Sequence, residues 1–385
     1  MVKFIGIRTL QNLLVFFLFL SATFFLLQAQ PGDISDQFLA NPKITAEVRE
    51  QFRQDLGLSG SVWDQYVRYI RNFFSGNLGV SFSEYPKTVG EIMAERVPRT
   101  LMLFTLSTVL SYLFGFAAGK VLAWRRGKRG EQVINGIGLF LYTVFYPWFA
   151  IVMLTIFAFY LDWVPIGKFL TVEVWREAPL PANTVFGRML WTLFLLIIAF
   201  GIVELIGRKR RNEHGRSDLL FGGRLAILVV FLLWWGLVWD ESVRYALDIG
   251  HHLILPVVVL ALVNFGGTML LTRASMVETM REDFILTARA KGLTEKSVRD
   301  RHAARNALLP VTTSFVLALA TIIGGGVVTE TVFSWPGMGQ TLLSAAVQED
   351  IPLTIGAFSF IAVLALLAHL IVDIMYMYLD PRIRV

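Results

Sequence analysis

Residues 283–310 read "DFILTARAKGLTEKSVRDRHAARNALLP", a charged interval between two long apolar runs. It carries Arg289, Lys291, Lys296, Arg299, Arg301 and Arg305 against Asp283, Glu295 and Asp300. Short loops rich in Lys and Arg are retained on the cytoplasmic side of a membrane, so this loop is predicted to face the cytoplasm. The pattern predicts two short helices. Phe284, Ile285 and Ala288 recur at i, i+1 and i+4 and give the first a narrow apolar face. Gly292 is predicted to stop it, and Thr294 to cap the second. Pro310 marks the start of the following span, where a fixed φ and a missing N–H are tolerated.

The flanking runs set the class. The chain has 385 residues, 55% of them hydrophobic, and a mean hydropathy of +0.60. The apolar residues gather in runs of about 20, the length that crosses a bilayer as a helix. An all-α, polytopic membrane bundle follows. The formal net charge of +6 lies mostly at the ends of spans, which is a topology signal and not a nucleic-acid footprint. With no cysteine, disulfides, thiolate metal sites and cysteine nucleophiles are excluded. No phosphate-loop sequence is present, nor H-E-x-x-H, so neither ATP hydrolysis nor a metal or other cofactor is expected of this chain.

Outward from the loop, the organisation reads as follows. Residues 1–30 hold a first span (Leu10 to Leu27) behind Lys3 and Arg8, too long for a cleavable signal core. Residues 31–99 form an external segment with three predicted helices. These start at Thr45, at Ser61 with Asp64 in its first turn, and at a Thr88–Glu91 capping box. Residues 100–162 carry span two (Leu101 to Ala123, with Gly115 and Gly119) and span three (Val133 to Leu161, kinked at Pro147). In 163–246, Phe186 to Ile206 and Leu219 to Trp239 predict an added two-span hairpin turning at Arg208, Lys209, Arg210 and Arg211. Residues 247–380 hold three more spans around the loop at 281–310, and 381–385 form a cytoplasmic tail. Eight spans with both termini inside put Lys or Arg on every inside segment.

Thr108, Ser111, Asn264 and Thr268 lie within spans. They are candidates for a substrate path or for hydrogen bonds between helices, and the sequence leaves both open. His251 and His252 point about 100° apart on a helix and are read as interfacial. His369 and Asp373 stand four apart and are read as a structural pair.

The loop resembles the cytoplasmic coupling loop of ABC importer permeases, whose pattern is Glu-Ala-Ala, three residues, Gly, then Ile-x-Leu-Pro. The matching positions are Leu286, Thr287, Ala288, Gly292, Ala307, Leu309 and Pro310. The replaced Glu and first Ala, the long spacer, and the phrases "TARAKG", "RHAARNALLP", "QDLGL", "GNLGVSFS", "ERVPRTL", "HHLILP" and "ETVFSWPGMG" are similar to the oligopeptide/dipeptide branch. The resemblance covers Met1 to Asp162 and Leu247 to Val385, with the hairpin outside it. It implies a type I permease core of six spans in the inner (cytoplasmic) membrane. It also implies a second homologous permease subunit, two ABC ATPase subunits and an extracytoplasmic substrate-binding protein as partners. ATPase contact would fall on Phe284, Ile285, Thr287, Ala288, Arg289 and Gly292. Peptides are the implied cargo, with oligosaccharides or metal chelates as the alternative. An ion-gradient-driven secondary transporter is the reading from another class, and the scarcity of carboxylates within spans argues against it.

Overall fold

A computed structural model describes residues 2–29, 61–214, 229, 231, 242–321 and 326–379. Among them the chain is helical, with a single isolated bridge between Val80 and Thr88. Twelve helices of six residues or more are used below: α1 (Val2–Gln28), α2 (Val62–Phe74), α3 (Val89–Trp124), α4 (Arg129–Thr143), α5 (Tyr146–Leu154), α6 (Ala182–His214), α7 (Ser242–Thr279), α8 (Asp283–Ala290), α9 (Ala304–Thr321), α10 (Val327–Val332), α11 (Met338–Val347) and α12 (Ile351–Leu379). The chain divides into two compact units, one of Met1–Met153 with Pro256–Val385, the other of Leu154–Leu255.

Four described helices are long and apolar enough to cross a bilayer, five if α4 and the helix that follows it count as one broken span. They lie in α1, α3, α6 and α7. The chain is therefore multi-pass.

Several predicted boundaries move, each for a local reason. The Ser61–Asp64 and Thr88–Glu91 capping boxes are both formed. The helix after Thr88 does not end before span two, however: α3 runs 36 residues through Pro98. Proline deletes one N–H from the ladder, and neighbouring helices compensate such gaps inside a bundle. Span three is not a kinked rod. Its two halves are bent by 106° at a break after Thr143. Pro147 is the second residue of α5, where its missing N–H is one of the first-turn groups that lack a partner anyway. Basic residues 208–211 lie within α6 and not at a turn. Pro310 lies inside α9, which starts six residues earlier. The helix predicted at Thr45, most of the run from Leu219 to Trp239, the Asp373 side chain and the tail 381–385 fall outside the described residues.

In the first unit α3 and α7 cross closely. A Cβ added at Gly115 would sit 2.7 Å from Thr268 Cβ, and one at Gly119 would sit 2.6 Å from the Met269 carbonyl oxygen. The G-x-x-x-G pair is thus a crossing point between two helices of one chain. Within the second unit, Asp248 of α7 accepts hydrogen bonds from the Thr171 N–H and hydroxyl and from the Trp175 indole. His252 is buried, its Nδ1 3.0 Å from the Asp248 carbonyl. The His251 ring is exposed, with its Nε2 2.9 Å from the Trp163 carbonyl.

Candidate functional site

The basic loop folds as the sequence dictates at its first helix. α8 ends at Lys291, and Gly292 follows at φ +74°. The Gly292 N–H bonds the Arg289 carbonyl at 2.9 Å and the Leu293 N–H reaches back to the Ala288 carbonyl at 3.4 Å. This is the paired C-terminal closure that left-handed glycine permits without strain. Thr294 caps the next turn through the Ser297 N–H. That turn does not stay a separate helix. It passes through a π segment (Val298–Ala303) straight into α9.

The apolar face of α8 splits in two. Ile285 (1% exposed) and Ala288 (4%) are buried in a cluster with Ala123, Met276, Val298, Ala303, Ala304 and Ala307. Trp124 and Met280 pack on its edge. Ile285 and Ala288 therefore face the chain's own helices, unlike Phe284, with which the sequence groups them. Leu286 (69% exposed), Leu293 (39%) and Phe284 (36%) face outward, as do Thr287 and Arg289. Side chains three apart share a helix face, so Ile285 and Ala288 turn inward together.

Polar ties reinforce the seat. Lys120 of α3 pairs with Asp300 at 3.2 Å, and Arg299 clasps the same carboxylate. The Arg299 hydrogen bonds, and then Lys120, hold the Asp300 carboxyl far below the usual carboxylate range. Arg289 lies 5.5 Å over the Trp124 ring and pairs with Glu295. Ser275 of α7 bonds the Ala307 carbonyl of α9 at 3.0 Å. At the foot of α4, Glu131 is buried and takes two contacts from Arg273 of α7. The loop is thus fastened to α3, α7 and α9.

Further along these same three helices lies a cavity of about 640 Å³. Its lining brings together all four polar residues singled out in the sequence, Thr108, Ser111, Asn264 and Thr268, with Tyr112 and Ser314. No lining residue is charged. The Ser111 hydroxyl bonds the Thr108 carbonyl and the Thr268 hydroxyl the Asn264 carbonyl, each closing on its own helix. The bond between helices is instead Tyr112 Oη to Ser314 Oγ at 2.7 Å.

A second polar cluster, which sequence reading missed, closes the opposite end of α3. Glu330, fully buried, accepts from the Thr100 hydroxyl at 2.7 Å and the Gln340 N–H at 2.9 Å. The Met338 N–H donates to Thr100 Oγ1, and the buried Trp335 indole to the Arg99 carbonyl. Burial raises the Glu330 carboxyl above its ordinary pKa against these hydrogen bonds. The phrase "ETVFSWPGMG" is the signal that could have found it, because Gly337 leaves the space the carboxylate occupies. Nearby, Asp350 collects the Ser81 and Ser83 hydroxyls and the Phe82 and Ser83 N–H groups.

Known proteins are similar to this sequence along most or all of its length. The pattern of the family described as binding-protein-dependent transport system inner membrane component matches residues 219–385, and that of its N-terminal part matches 1–104. The first match starts inside the stretch read as an added hairpin. A di/tripeptide transport system permease protein of Pseudomonas aeruginosa is 30% identical over 384 residues, covering 100% of this chain and 99% of its own. An oligopeptide transport system permease protein of Bacillus subtilis is 29% identical, with 100% of both chains covered. A dipeptide transport system permease protein of Escherichia coli K12 is 31% identical over 363 residues, 94% of this chain and 93% of its own. The chain belongs to the family of binding-protein-dependent transport system inner membrane components, as a membrane permease of the ABC-importer class.

Proposed function

We propose that this permease carries peptides inward, forms half of a pore with a second homologous permease, and is driven by two cytoplasmic ATPase subunits that grip α8. An extracytoplasmic binding protein delivers the cargo. Eight spans with both termini in the cytoplasm, the segmentation at 30, 99, 162, 246 and 380, and an external helical segment at 31–99 belong to this proposal. The N-terminal part of that segment's third helix is continuous with span two.

The observation that carries it is the shared set of helices. α3, α7 and α9 hold α8 at one end and line the cavity further along. From Met276 to Thr268 is about 12 Å of helix, and from Ala307 to Ser314 about 10 Å. A push on α8 therefore moves the cavity walls as levers. Ile285 and Ala288 are the anchor on this side of the joint, and Gly292 ends the helix cleanly. Phe284, Leu286, Thr287, Arg289 and Leu293 are the surface for the ATPase. Moving a gate from 1:99 to 99:1 takes about 5.5 kcal/mol. Exposed ion pairs such as Arg289–Glu295 contribute about 0–1 kcal/mol. Covering what stays exposed of Phe284, Leu286 and Leu293 contributes on the order of 3 kcal/mol at each loop. Two loops reach the required scale when this surface is covered in one gate state and not in the other.

The neutral polar cavity suits a cargo with a repeating amide backbone and variable side chains. The test is uptake of labelled di- and oligopeptides by liposomes holding the permease pair, both ATPases and the binding protein. Uptake is expected to need enclosed ATP and every subunit. Uptake by this chain alone, collapsed by an uncoupler, would contradict the assignment. Uptake of oligosaccharide or metal chelate but not peptide would overturn the cargo alone.

A further inference from the structure

The short helix α2 precedes α3 in sequence but packs on α1. Contacts run antiparallel. The Tyr66 hydroxyl bonds the Ser21 hydroxyl at 2.7 Å, and its ring stacks on Phe25. Tyr69 stacks on Phe24, and the Phe73 ring centroid is 5.4 Å from that of Phe16. The apolar span of α1 is Gly6–Leu26, and Phe16 is its midpoint. Phe73 thus lies about 15 Å along α1 from the span's end.

A second gauge agrees. The Tyr69 hydroxyl is buried in the neighbourhood of Ser359 of α12, with neither hydroxyl hydrogen-bonded, about 12 Å of helix past Ile351. The chain then climbs back. Gly79 stands against Pro352, and residues 81–83 bind Asp350, immediately before α12. That return opens with a turn at Ser75 and Gly76, where the Gly76 and Asn77 N–H groups bond the Phe73 and Asn72 carbonyls, before the chain reaches Gly79. So α2 dips alongside two helices to half the depth of span one and comes out again.

Its outward side is mixed, with Asp64, Arg68 and Arg71 exposed beside an apolar stripe. Trp63 (65% exposed), Val67 (40%) and Phe74 (62%) form one stripe, and Leu14, Phe17 and Leu18 of α1 are exposed as well. Arg71 lies in the stripe between Val67 and Phe74. A long basic side chain can lay its methylenes on apolar surface and lift its charge to the headgroups. Trp63 sits at the shallow end, where tryptophan favours the interface.

We propose that α2 is a lipid-binding element, inserted into the bilayer leaflet at the C-terminal end of α1, with Phe74 and Val67 among the acyl chains and Trp63 at the headgroups. This rests on α1 being a span. The site takes phospholipid, and within the external segment proposed at 31–99 the stretch from Val62 to Phe74 is the part that enters the membrane.

The absence of cysteine from the sequence makes the test direct. Single variants Trp63→Cys, Val67→Cys and Phe74→Cys are spin-labelled in the full chain in phospholipid nanodiscs. Leu18→Cys serves as the span reference and Lys291→Cys as the water reference. Collision rates with oxygen and with a water-soluble nickel chelate are compared. The oxygen-to-chelate ratio is expected to rise from residue 63 through 67 to 74. At 74 it should equal that at 18 and stand severalfold above that at 291. A water-like ratio at 74 with a lipid-like one at 18 would overturn the proposal and leave the span intact. Water-like ratios at both would overturn the reading of α1 as well.

Discussion

Ala288→Asp is expected to abolish ATP-driven uptake while the chain still inserts in the membrane at normal abundance. Ala288 is 4% exposed and surrounded by Met276, Val298, Ala303 and Ala304. A carboxylate there has no cation in the cluster to meet it. Burying it unpaired costs on the order of 3 kcal/mol or more. That corresponds to a roughly hundredfold loss of the seated form of α8. The spans themselves fold around other contacts, so insertion survives. Ala288→Ser, close in volume and able to bond within the helix, is expected to keep most of the activity. The check is the uptake rate per unit of membrane-inserted protein. Near-parental uptake by the Asp variant would mean that α8 does not work through its buried seat.

Gly337→Ala is expected to produce the largest loss of stability outside the loop. The new methyl would land on the Glu330 carboxylate and stand 2.5 Å from Thr100 Oγ1. Either the carboxylate moves or α11 does. Both ways break the bonds that Thr100 and Gln340 give Glu330, and a buried polar group left without its partner costs about 1–3 kcal/mol for each bond lost. A loss on the order of 4 kcal/mol follows, and it should appear as a lowered denaturation midpoint in detergent. Glu330→Gln keeps the shape and part of the bonding, so its midpoint should fall less. Equal midpoints for Gly337→Ala and the parent would show that this clasp carries no stability.

The reach of the sequence follows from what each feature depends on. The end of α8 at Gly292, the Thr294 cap and the two capping boxes are local, set by residues within one turn of each other. They were legible for that reason. The grouping of Thr108, Ser111, Asn264 and Thr268 was legible in kind, since polar side chains within spans are costly unless they have a use. Which helices they share a wall with was not. The split of the α8 face was hidden, because Phe284 and Ile285 are equally apolar and only α7 and α9 decide which turns inward. The 106° break at α4 was missed because Pro147 reads as a kink wherever the helix start is unknown. Glu330 and Asp350 were passed over for a similar reason. Their partners Thr100 and Ser81 lie 230 and 269 residues away in sequence, and only Gly337 of "ETVFSWPGMG" marks the first cluster locally.

The side of the membrane on which α8 lies decides more than any other quantity. Leu286→Cys places a lone thiol at a position 69% exposed in a chain without other cysteines. A membrane-impermeant maleimide is expected to label it in inverted vesicles and to leave it unlabelled in intact cells. Labelling in intact cells, with inverted vesicles silent, would put the loop where no cytoplasmic ATPase could touch it.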